Sequence, residues 1–302
     1  MVSVIVCTYN REKYLPDCLE HLSRQTAAKE YYEILIIDNK SSDNTPNIAG
    51  DFVRKNDRNA YYFLEENQGH TYARNRGISE ASGEILTFID DDAFVGDNFI
   101  ENIQNYFDTN PEVQALGGKI VPVYEGKEPK WMSRYLLTLV SAIDMGSQPK
   151  QFSGNKFPIG ANMSFRKHVF MRYGLFNTEL GRRAEGLEGG DEKEMFLRMK
   201  KNNEVIHYVP SVTVDHIIPE KRTKMEYIRG LGIGVGSSER KRLRGAGLKQ
   251  WSKKVWSELI KIAASIALFL AYCLRLKFNA ALMLIKFRIW VIKGLLTRSN
   301  IF

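Results

Sequence analysis

The sequence is poor in cysteine and lacks the glycine-rich motifs with which many proteins bind phosphate. Its three cysteines, Cys7, Cys18 and Cys273, form no C-x-x-C pair, so they predict neither a disulfide framework nor a cysteine metal site. The loop G-x-x-x-x-G-K-[ST] does not occur, and G-x-G-x-x-G does not follow the first apolar run. G-x-S-x-G and H-E-x-x-H are missing as well. These absences argue against a disulfide-rich domain, a P-loop nucleotidase, a dinucleotide-binding dehydrogenase, an α/β-hydrolase and an HExxH metalloprotease.

Charge is unevenly distributed along a chain that can otherwise form an ordinary core. The 302 residues are 44% hydrophobic and 26% charged, which fits one large domain or two of medium size. Residues 221–302 contain 18 Lys and Arg against 3 Asp and Glu, a net charge of +15, whereas residues 1–220 carry −7. We therefore predict two parts, a domain of residues 1–220 and a basic tail of residues 221–302.

Apolar runs alternate with helical patterns in residues 1–121. Val, Ile, Phe and Tyr predominate in these runs, which are VSVIVC (2–7), EILIID (33–38), YYFLE (61–65) and EILTFID (84–90). The segments between them have apolar residues at helical spacing, for example Leu15, Leu19 and Leu22. Such alternation predicts an α/β fold with a mostly parallel central sheet flanked by helices.

Polar side chains stand at the ends of three of the predicted strands. They are Thr8–Arg11, Asp38–Asn39 and Asp90–Asp92. Right-handed crossovers place the loops after parallel strands along one edge of the sheet, where ligands of open α/β sheets bind. The three clusters are therefore expected to converge on one crevice.

Asp90, Asp91 and Asp92 are adjacent carboxylates directly after a predicted buried strand. Like charges this close raise one another's pKa unless a cation or hydrogen-bond donors compensate them. A divalent ion such as Mg²⁺ or Mn²⁺ would do so, and Asp90 and Asp92 could both reach it. The alternative is a solvated acidic turn ahead of a helix that begins near Asp97.

A series of motifs in this order resembles the family 2 glycosyltransferases of the GT-A fold. The resemblance covers about residues 1–216, and its motifs are VSVIVCTYNR (2–11), IIDNKSSD (36–43), NQGHTYARNRGI (67–78), FIDDD (88–92), GANMSFRK (160–167) and GGDEKEMFLR (189–198). It implies a nucleoside diphosphate (NDP) sugar as donor, usually a UDP-sugar, and a divalent metal ion, Mg²⁺ or Mn²⁺. Residues 1–121 would form the nucleotide-binding half and residues 122–220 the acceptor and catalytic half.

The resemblance assigns the nucleotide site to the three strand ends. It implies that Thr8, Tyr9 and Arg11 line the nucleotide pocket, that Asp38 hydrogen-bonds the base, and that Arg74 lies near the base or the phosphates.

The acidic run matches the DxD motif of the family. The second carboxylate, Asp92, would reach the metal, and Asp90 would reach the ribose, the nucleotide or the metal, with Asp91 in the same site. Two residues of the nucleotide site have structural alternatives as well. Thr8 could join Asn10 in capping a helix that begins near Arg11, and Asp38 could form an Asx-type turn.

The candidate catalytic base is one of two adjacent carboxylates, Asp191 and Glu192. Family members commonly carry Glu-Asp at the start of a helix, with an Arg six residues after the Asp. Aligned on Arg198, the order is inverted here. One carboxylate must take the proton of the acceptor hydroxyl as the sugar carbon is attacked, and direct attack would invert the anomeric centre. Either residue could be the base, and ordinary acidic charge at a helix N-terminus is the alternative.

Other candidate residues follow from the resemblance. His216 stands where some relatives have a metal ligand, although a lone histidine is more often structural. Trp131 could stack on a sugar ring or be anchored in a core. The family loop that faces the donor sugar and the acceptor corresponds to Gly160, Ala161 and Asn162.

The basic tail predicts a membrane-associating helical region. The run 262–274 has thirteen uncharged residues, fewer than the ~20 of a spanning helix. Arg275, Lys286 and Lys293 are expected to share one face of a basic amphipathic helix, so that 240–298 lies on an anionic membrane surface. A buried bundle helix, a dimer seam and one membrane span remain alternatives. No nucleic-acid motif accompanies the basic run of Arg240, Lys241, Arg242 and Arg244, so no nucleic acid is expected as a partner.

These features predict an inverting, metal-dependent transferase that moves a sugar from an NDP-sugar to a hydroxyl of a polysaccharide, lipopolysaccharide or lipid-linked glycan. We expect it at the cytoplasmic face of the cell membrane, peripheral or shallowly inserted, with a homo-oligomer left open. A processive synthase is rejected because Q-x-x-R-W is missing, and a sugar nucleotidyltransferase because its glycine-rich loop is missing. The alternative is a non-catalytic protein that binds nucleotide sugars or serves as an adaptor at a membrane surface.

Overall fold

The computed structural model describes residues 1–56, 59–181, 189–243 and 247–297. The chain forms two compact units, each assembled from several stretches. The first, which we call the sheet unit, comprises Met1–Val123, Ser141–Glu179 and Asp191–Ile217. The second, the helical unit, comprises Tyr124–Val140, Leu180–Gly190 and Ile218–Phe302. The domain boundary that the sequence suggests at residue 220 stays a prediction.

The sheet unit is built around one twisted sheet. Its strands are β1 (Val2–Thr8), β2 (Tyr32–Asp38), β3 (Ala60–Leu64), β4 (Ile85–Asp90), β5 (Ala93–Val95), β6 (Val113–Tyr124), β7 (Lys150–Gln151), β8 (Asn162–Arg166) and β9 (Val205–Ile218). Its helices are α1 (Leu15–Ser23), α2 (Thr45–Lys55), α3 (His70–Glu80), α4 (Phe99–Thr109), α5 (His168–Tyr173) and α6 (Asp191–Lys201).

The order of the strands is β3-β2-β1-β4-β8-β6-β9-β5, with β7 paired to β9. Strands β1, β2, β3 and β4 pair in parallel, as the alternation of apolar runs and helices predicts. The later strands add antiparallel pairs, β8 to β4 and to β6, and β9 to β5 and to β7. The predicted α/β fold is therefore confirmed, with a parallel half and an antiparallel extension.

Alternate residues of the central strands face two separate cores. In β1, Val4 and Val6 belong to one hydrophobic cluster and Ile5 belongs to the other. The first cluster includes buried residues of α1 and α4, and the second includes buried residues of α3, α5 and α6. Because side chains of a strand alternate between its faces, a run that is apolar throughout requires helices on both sides of the sheet.

The helical unit contains α7 (Glu220–Thr223), α8 (Met225–Arg242), α9 (Gly247–Leu274) and α10 (Phe278–Leu296). Helices α8 and α10 approach one another closely through glycines. A Cβ added at Gly236 would lie 2.1 Å from the backbone oxygen of Val291, and one at Gly294 would lie 2.0 Å from that of Ile233. Only residues without a side chain permit backbones to come this near.

The apolar run of the tail is part of a longer helix than its thirteen residues suggest. It forms the C-terminal half of α9, which has 28 residues. Arg275 follows the end of α9, and Leu276 in the same turn has a positive φ of 57°. Arg275 therefore does not share a helix with Lys286 and Lys293, and the predicted common face is wrong. Part of the predicted membrane segment 240–298 lies outside the described residues, namely Arg244, the two residues after it and residue 298.

Candidate active site

The carboxyl ends of β1, β2 and β4 form one polar edge of the sheet. In the register of the parallel strands, Thr8 lies beside Asp38 and Cys7 lies beside Asp90. The three polar clusters that follow these strands therefore meet, as expected from the handedness of the crossovers.

The loop after β1 is tied to the loop after β2 by hydrogen bonds. The backbone N–H of Asn10 donates to the Ser41 hydroxyl over 2.9 Å, and the Asn10 side-chain oxygen accepts from the N–H of Ser42 over 2.8 Å. Asn10 has a positive φ of 52°, which a short polar side chain tolerates. The alternative in which Thr8 and Asn10 cap a helix is wrong, since α1 begins at Leu15 without a side-chain cap.

The loop leaves Thr8 and Tyr9 in different surroundings. Thr8 is buried at the end of β1, whereas Tyr9 is 37% exposed. Tyr9 is thus the more accessible of the two to a ligand.

Asp38 is fully buried at the end of β2. One of its carboxylate oxygens accepts from the backbone N–H and the hydroxyl of Ser41, over 3.0 and 2.5 Å, and the other accepts from the Tyr62 hydroxyl over 2.9 Å. The contact with Ser41 is the Asx-type turn that the sequence left open. A hydrogen bond from Asp38 to a nucleotide base stays a prediction.

Asp90, Asp92 and His216 form a candidate metal site. One ligand atom of each lies within 4.8 Å of the others. His216 reaches the cluster because β9 pairs with β5, which sets it opposite Ala93, and its Nε2 lies 3.1 Å from an oxygen of Asp92. Asp92 and His216 are almost completely buried. Two carboxylates and an imidazole within this distance fit a divalent cation, which would also compensate the buried negative charge.

Arg11 partly neutralises the same acidic run. Its guanidinium lies 3.1 Å from an oxygen of Asp91 and 3.3 Å from an oxygen of Asp92. Burial nevertheless raises the pKa of Asp91 to about 7, with Arg11 opposing the rise and Asp92 adding to it. Both carboxylates are buried, which argues against the solvated acidic turn.

Arg74 of α3 holds the two candidate bases at the start of α6. Its guanidinium donates to Asp191 over 2.7 Å and to Glu192 over 3.5 Å. It also lies 5.7 Å from the centre of the Phe176 ring, an additional stabilising contact. Arg74 is itself only 3% exposed. Its charged contacts are with the two candidate bases. Its predicted place near the base or phosphates stays a prediction.

The two candidate bases differ in environment although they are adjacent. The Asp191 side chain is 3% exposed, and although burial disfavours its ionised form, Arg74 holds its pKa well below the usual range. Burial and the neighbouring Asp191 raise the pKa of Glu192 to about 7, against the opposing effect of Arg74. The Glu192 side chain is 24% exposed. Glu192 is therefore the more accessible and the more basic of the two.

The residues of the predicted loop 160–162 support the site through packing and hydrogen bonds. A Cβ added at Gly160 would lie 2.1 Å from a terminal nitrogen of Arg74, so the glycine leaves room for the guanidinium. Ala161 is buried in the core. The Asn162 side chain donates to the backbone oxygens of Lys119 and Val212 over 3.2 and 2.8 Å, which joins β8 to β6 and β9. The donor-sugar contacts expected of these residues stay predictions.

Trp131 belongs to the helical unit, where it packs with Leu136, Leu139, Ile228 and Met283. It is 8% exposed, which matches the core alternative for this residue. Stacking on a sugar ring stays a prediction.

Two contacts of the site were missed by sequence reasoning. The Arg74–Asp191 pair joins residues that are 117 positions apart, and no local spacing signals it. The Tyr62–Asp38 hydrogen bond follows from the pairing of β2 with β3, which leaves the two residues on neighbouring strands.

A family model described as glycosyl transferase family 2 matches residues 3–174. The chain is 27% identical over 243 residues to the glucosyl-dolichyl phosphate glucuronosyltransferase of Haloferax volcanii, a match that covers 79% of this chain and 76% of that protein. It is 28% identical over 189 residues to the dolichyl N-acetyl-alpha-D-glucosaminyl phosphate 3-beta-D-2,3-diacetamido-2,3-dideoxy-beta-D-glucuronosyltransferase of Methanococcus voltae, which covers 61% of this chain and 55% of that protein.

Among solved structures, the chain resembles the mannosyltransferase PcManGT from Pyrobaculum calidifontis in complex with GDP-Man and Mn²⁺. The alignment covers 99% of this chain and 88% of that chain, with a TM-score of 0.63 and 17% identity. At this identity the likeness establishes the fold alone.

The sheet and its order of strands define an α/β domain of the GT-A fold. The chain belongs to glycosyltransferase family 2, because the family model matches more than half of its length. It is therefore a transferase that uses nucleotide sugars, and the non-catalytic alternative is set aside.

Replacing Gly160 by Ala tests whether Arg74 depends on the space above this glycine. We expect the free energy of unfolding to fall by about 1–3 kcal/mol, since the added methyl group displaces a buried, paired guanidinium. Urea unfolding measures the change. Gly96→Ala is the matched control, since a Cβ there meets nothing within 4 Å. Equal stability of the two variants would contradict the close approach.

Proposed function

We propose that the protein is an inverting, metal-dependent glycosyltransferase that moves a sugar from a UDP-sugar to a hydroxyl of a glycan carried by an isoprenoid phosphate. The observation that carries the proposal is that one buried arginine, Arg74, interacts with two acidic groups, one at the start of α6 and one at the end of β4. Arg74 interacts electrostatically with Asp191 and Glu192 on α6 and with Asp90 at the end of β4. A donor diphosphate held near Asp90 would thus lie close to a carboxylate able to take a proton.

Asp90, Asp92 and His216 would hold the metal ion. When bound, a divalent cation supplies positive charge to the departing diphosphate. The imidazole in the ligand set favours Mn²⁺ over Mg²⁺ in this proposal. Arg11, whose side chain is 24% exposed, would bind an oxygen of the diphosphate while keeping Asp91 and Asp92 in position.

Glu192 would act as the general base. It would remove the proton from the acceptor hydroxyl as that oxygen attacks the anomeric carbon, and a single attack of this kind inverts the configuration. Asp191 would stay ionised in its pair with Arg74 and would orient the arginine rather than take the proton. Its lowered pKa and its burial support this division.

The acceptor proposal rests on the relatives. The names of the Haloferax volcanii and Methanococcus voltae enzymes both contain a dolichyl group and a phosphate, and dolichyl phosphate is an isoprenoid phosphate. The choice of UDP rests on the resemblance of the motifs, and because PcManGT was solved with GDP-Man, GDP-sugars belong in the same assay.

We further propose that the helical unit attaches the enzyme to an anionic membrane surface at the cytoplasmic face. Helix α9 is long and apolar enough to cross a bilayer, and most of its apolar stretch is not buried. Ile266 and Leu270 on α9 are 50% and 59% exposed. Exposed basic residues flank the helix, with Lys249 in its first turn and Lys277 shortly after its last residue, and the cytoplasmic leaflet carries the opposite charge.

Asp92→Asn tests the metal site. We expect it to weaken Mn²⁺-dependent binding of UDP by more than about tenfold, since even changes outside the ligand shell often cost that much. Calorimetric titration of UDP and GDP with and without Mn²⁺ measures the effect. Asp215→Asn is the matched control, because Asp215 is exposed and adjoins His216. If both variants bind the nucleotide like the wild type, the ion lies elsewhere.

Glu192→Gln tests the base. We expect the rate of sugar transfer to fall by about 10²–10⁴, the usual contribution of a general base. Glu194→Gln, on the same helix, should retain activity. In the wild type, kcat/KM should decrease as the pH falls below about 7, because a base with this raised pKa becomes protonated there. An active Glu192→Gln beside an inactive Asp191→Asn would transfer the role to Asp191.

Replacing Ile266 and Leu270 together by Glu tests the membrane surface. The double variant should lose most of its cosedimentation with phosphatidylglycerol vesicles, since two apolar side chains would no longer enter the interface. The matched control replaces two exposed apolar residues of the sheet unit by Glu, Met171 (80% exposed) and Leu175 (47% exposed). This control should bind the vesicles like the wild type. Salt at 1 M should weaken binding only in part, since screening leaves apolar burial intact. Equal sedimentation of all three proteins would refute the assignment.

A further inference from the structure

The helical unit contains a cleft that combines apolar walls with two cations. It lies among α9, α10 and the segment 135–139, and it has a volume of about 160 Å³. Leu139, Leu268, Leu284 and Phe287 contribute to its walls, and Lys261 and Arg288 also line it. An apolar surface with positive charge at one place matches an amphiphile that has an anionic head.

Arg288 makes no direct ion pair with an acidic side chain among the described residues, and Glu258 acts on it only at longer range. Its guanidinium lies 6.0 Å from the centre of the neighbouring Phe287 ring, and it makes no ion pair with any carboxylate in the described part of the chain. It is partly buried, so water compensates it incompletely. The side chain is therefore available to an anion that enters the cleft.

The acidic residues nearby are already paired with other cations. Glu258 contacts Lys254 over 2.9 Å and Lys261 over 2.7 Å, and Glu239 contacts Lys254 over 3.0 Å and Arg242 over 2.9 Å. Two carboxylates thus face three cations before Arg288 is added. The group has an excess of positive charge, and a phosphate at the cleft would reduce it.

We propose that this cleft binds the phosphate end of the isoprenoid phosphate that carries the acceptor glycan. The proposal rests on the proposed function for the class of acceptor. Arg288 and Lys261 would bind phosphate oxygens, and the first carbons of the chain would contact Leu268, Leu284 and Phe287. The small volume admits only this end of the lipid, so the rest of the chain would continue along the exposed apolar side of α9.

Binding of undecaprenyl phosphate in phosphatidylcholine nanodiscs to the full chain tests the proposal. We expect Arg288→Gln to raise the dissociation constant at least about tenfold, the usual effect of losing a charge-assisted hydrogen bond. Lys293→Gln removes the same charge from an exposed position of α10 that does not line the cleft, and should change binding less than about twofold. If both variants weakened lipid binding equally, the effect would come from surface charge in general, and the proposal would be overturned.

A second pair of variants tests the same site without removing a charge. Ala264 is exposed and lines the cleft, whereas Ala263 is exposed and does not line it. Ala264→Phe should fill the cleft and weaken binding of undecaprenyl phosphate at least about tenfold, and Ala263→Phe should not. Both sites face solvent, so neither replacement disturbs the core. Retained binding by Ala264→Phe would overturn the proposal.

Other ligands identify the source of the phosphate. Nanodiscs with undecaprenol, or with phosphatidylglycerol at equal charge, should bind at least about tenfold more weakly than those with undecaprenyl phosphate, and millimolar inorganic phosphate should not displace the lipid. Equal binding of phosphatidylglycerol would make the cleft a site for bilayer lipid, and displacement by inorganic phosphate would make it a site for the free ion. Either result would overturn the assignment.

Donor assays on the same samples separate this proposal from the proposed function. If the wild type releases NDP from a donor but does not prefer undecaprenyl phosphate, the cleft assignment fails and glycosyl transfer stands. If it binds undecaprenyl phosphate as expected but turns over no UDP- or GDP-sugar with any acceptor, the proposed function fails and the cleft assignment stands.

Discussion

The ion pair between Arg74 and Asp191 is the contact on which the rest of the site depends. Both side chains are almost completely removed from water, so each charge is tolerable only in the presence of the other, and loss of one partner in such pairs typically costs about 3–5 kcal/mol. Arg74 belongs to the helix between β3 and β4, and Asp191 begins the helix before β9. The pair therefore forms only when the antiparallel extension of the sheet has folded against its parallel half.

The same pair explains how two adjacent carboxylates come to have opposite acid–base properties. The guanidinium of Arg74 lies closer to Asp191 than to Glu192, at 2.7 against 3.5 Å, and therefore stabilises the charge of Asp191 more. The negative charge that Arg74 fixes on Asp191 then opposes a second negative charge on Glu192. Neighbouring groups whose environments push their pKa values apart commonly divide into a fixed charge and a proton carrier. The inverted Asp-Glu order of this chain is thus compatible with the proposed base, because the pKa of each carboxylate depends on its environment rather than on the order of the two residues.

The sequence predicts features of the fold that repeat along the chain and misses those that join distant segments. Alternating apolar runs locate β1 to β4, and strand handedness brings Asp38 and Asp90 to one edge, because both depend on local periodicity and a general rule of connection. His216 was found through resemblance alone, since its approach to Asp92 depends on the pairing of β9 with β5. The face assigned to Arg275 failed because uniform helical spacing was assumed across 275–277, where the chain turns.

The exposed apolar surface of the helical unit follows from how its helices pack. Glycines let α8 and α10 meet backbone to backbone, so these two helices cover one another, while α9 keeps residues such as Leu270 and Leu274 in contact with solvent. Apolar surface of this extent is unfavourable in water and usually marks a site of association. Within the described residues, Glu239 and Glu258 of this unit pair with Arg242, Lys254 and Lys261, while other cations such as Lys249 and Lys277 are exposed. An apolar helix bordered by exposed positive charge is stable where hydrocarbon and anionic head groups meet, so the packing of α8 on α10 is consistent with the membrane attachment proposed for the helical unit.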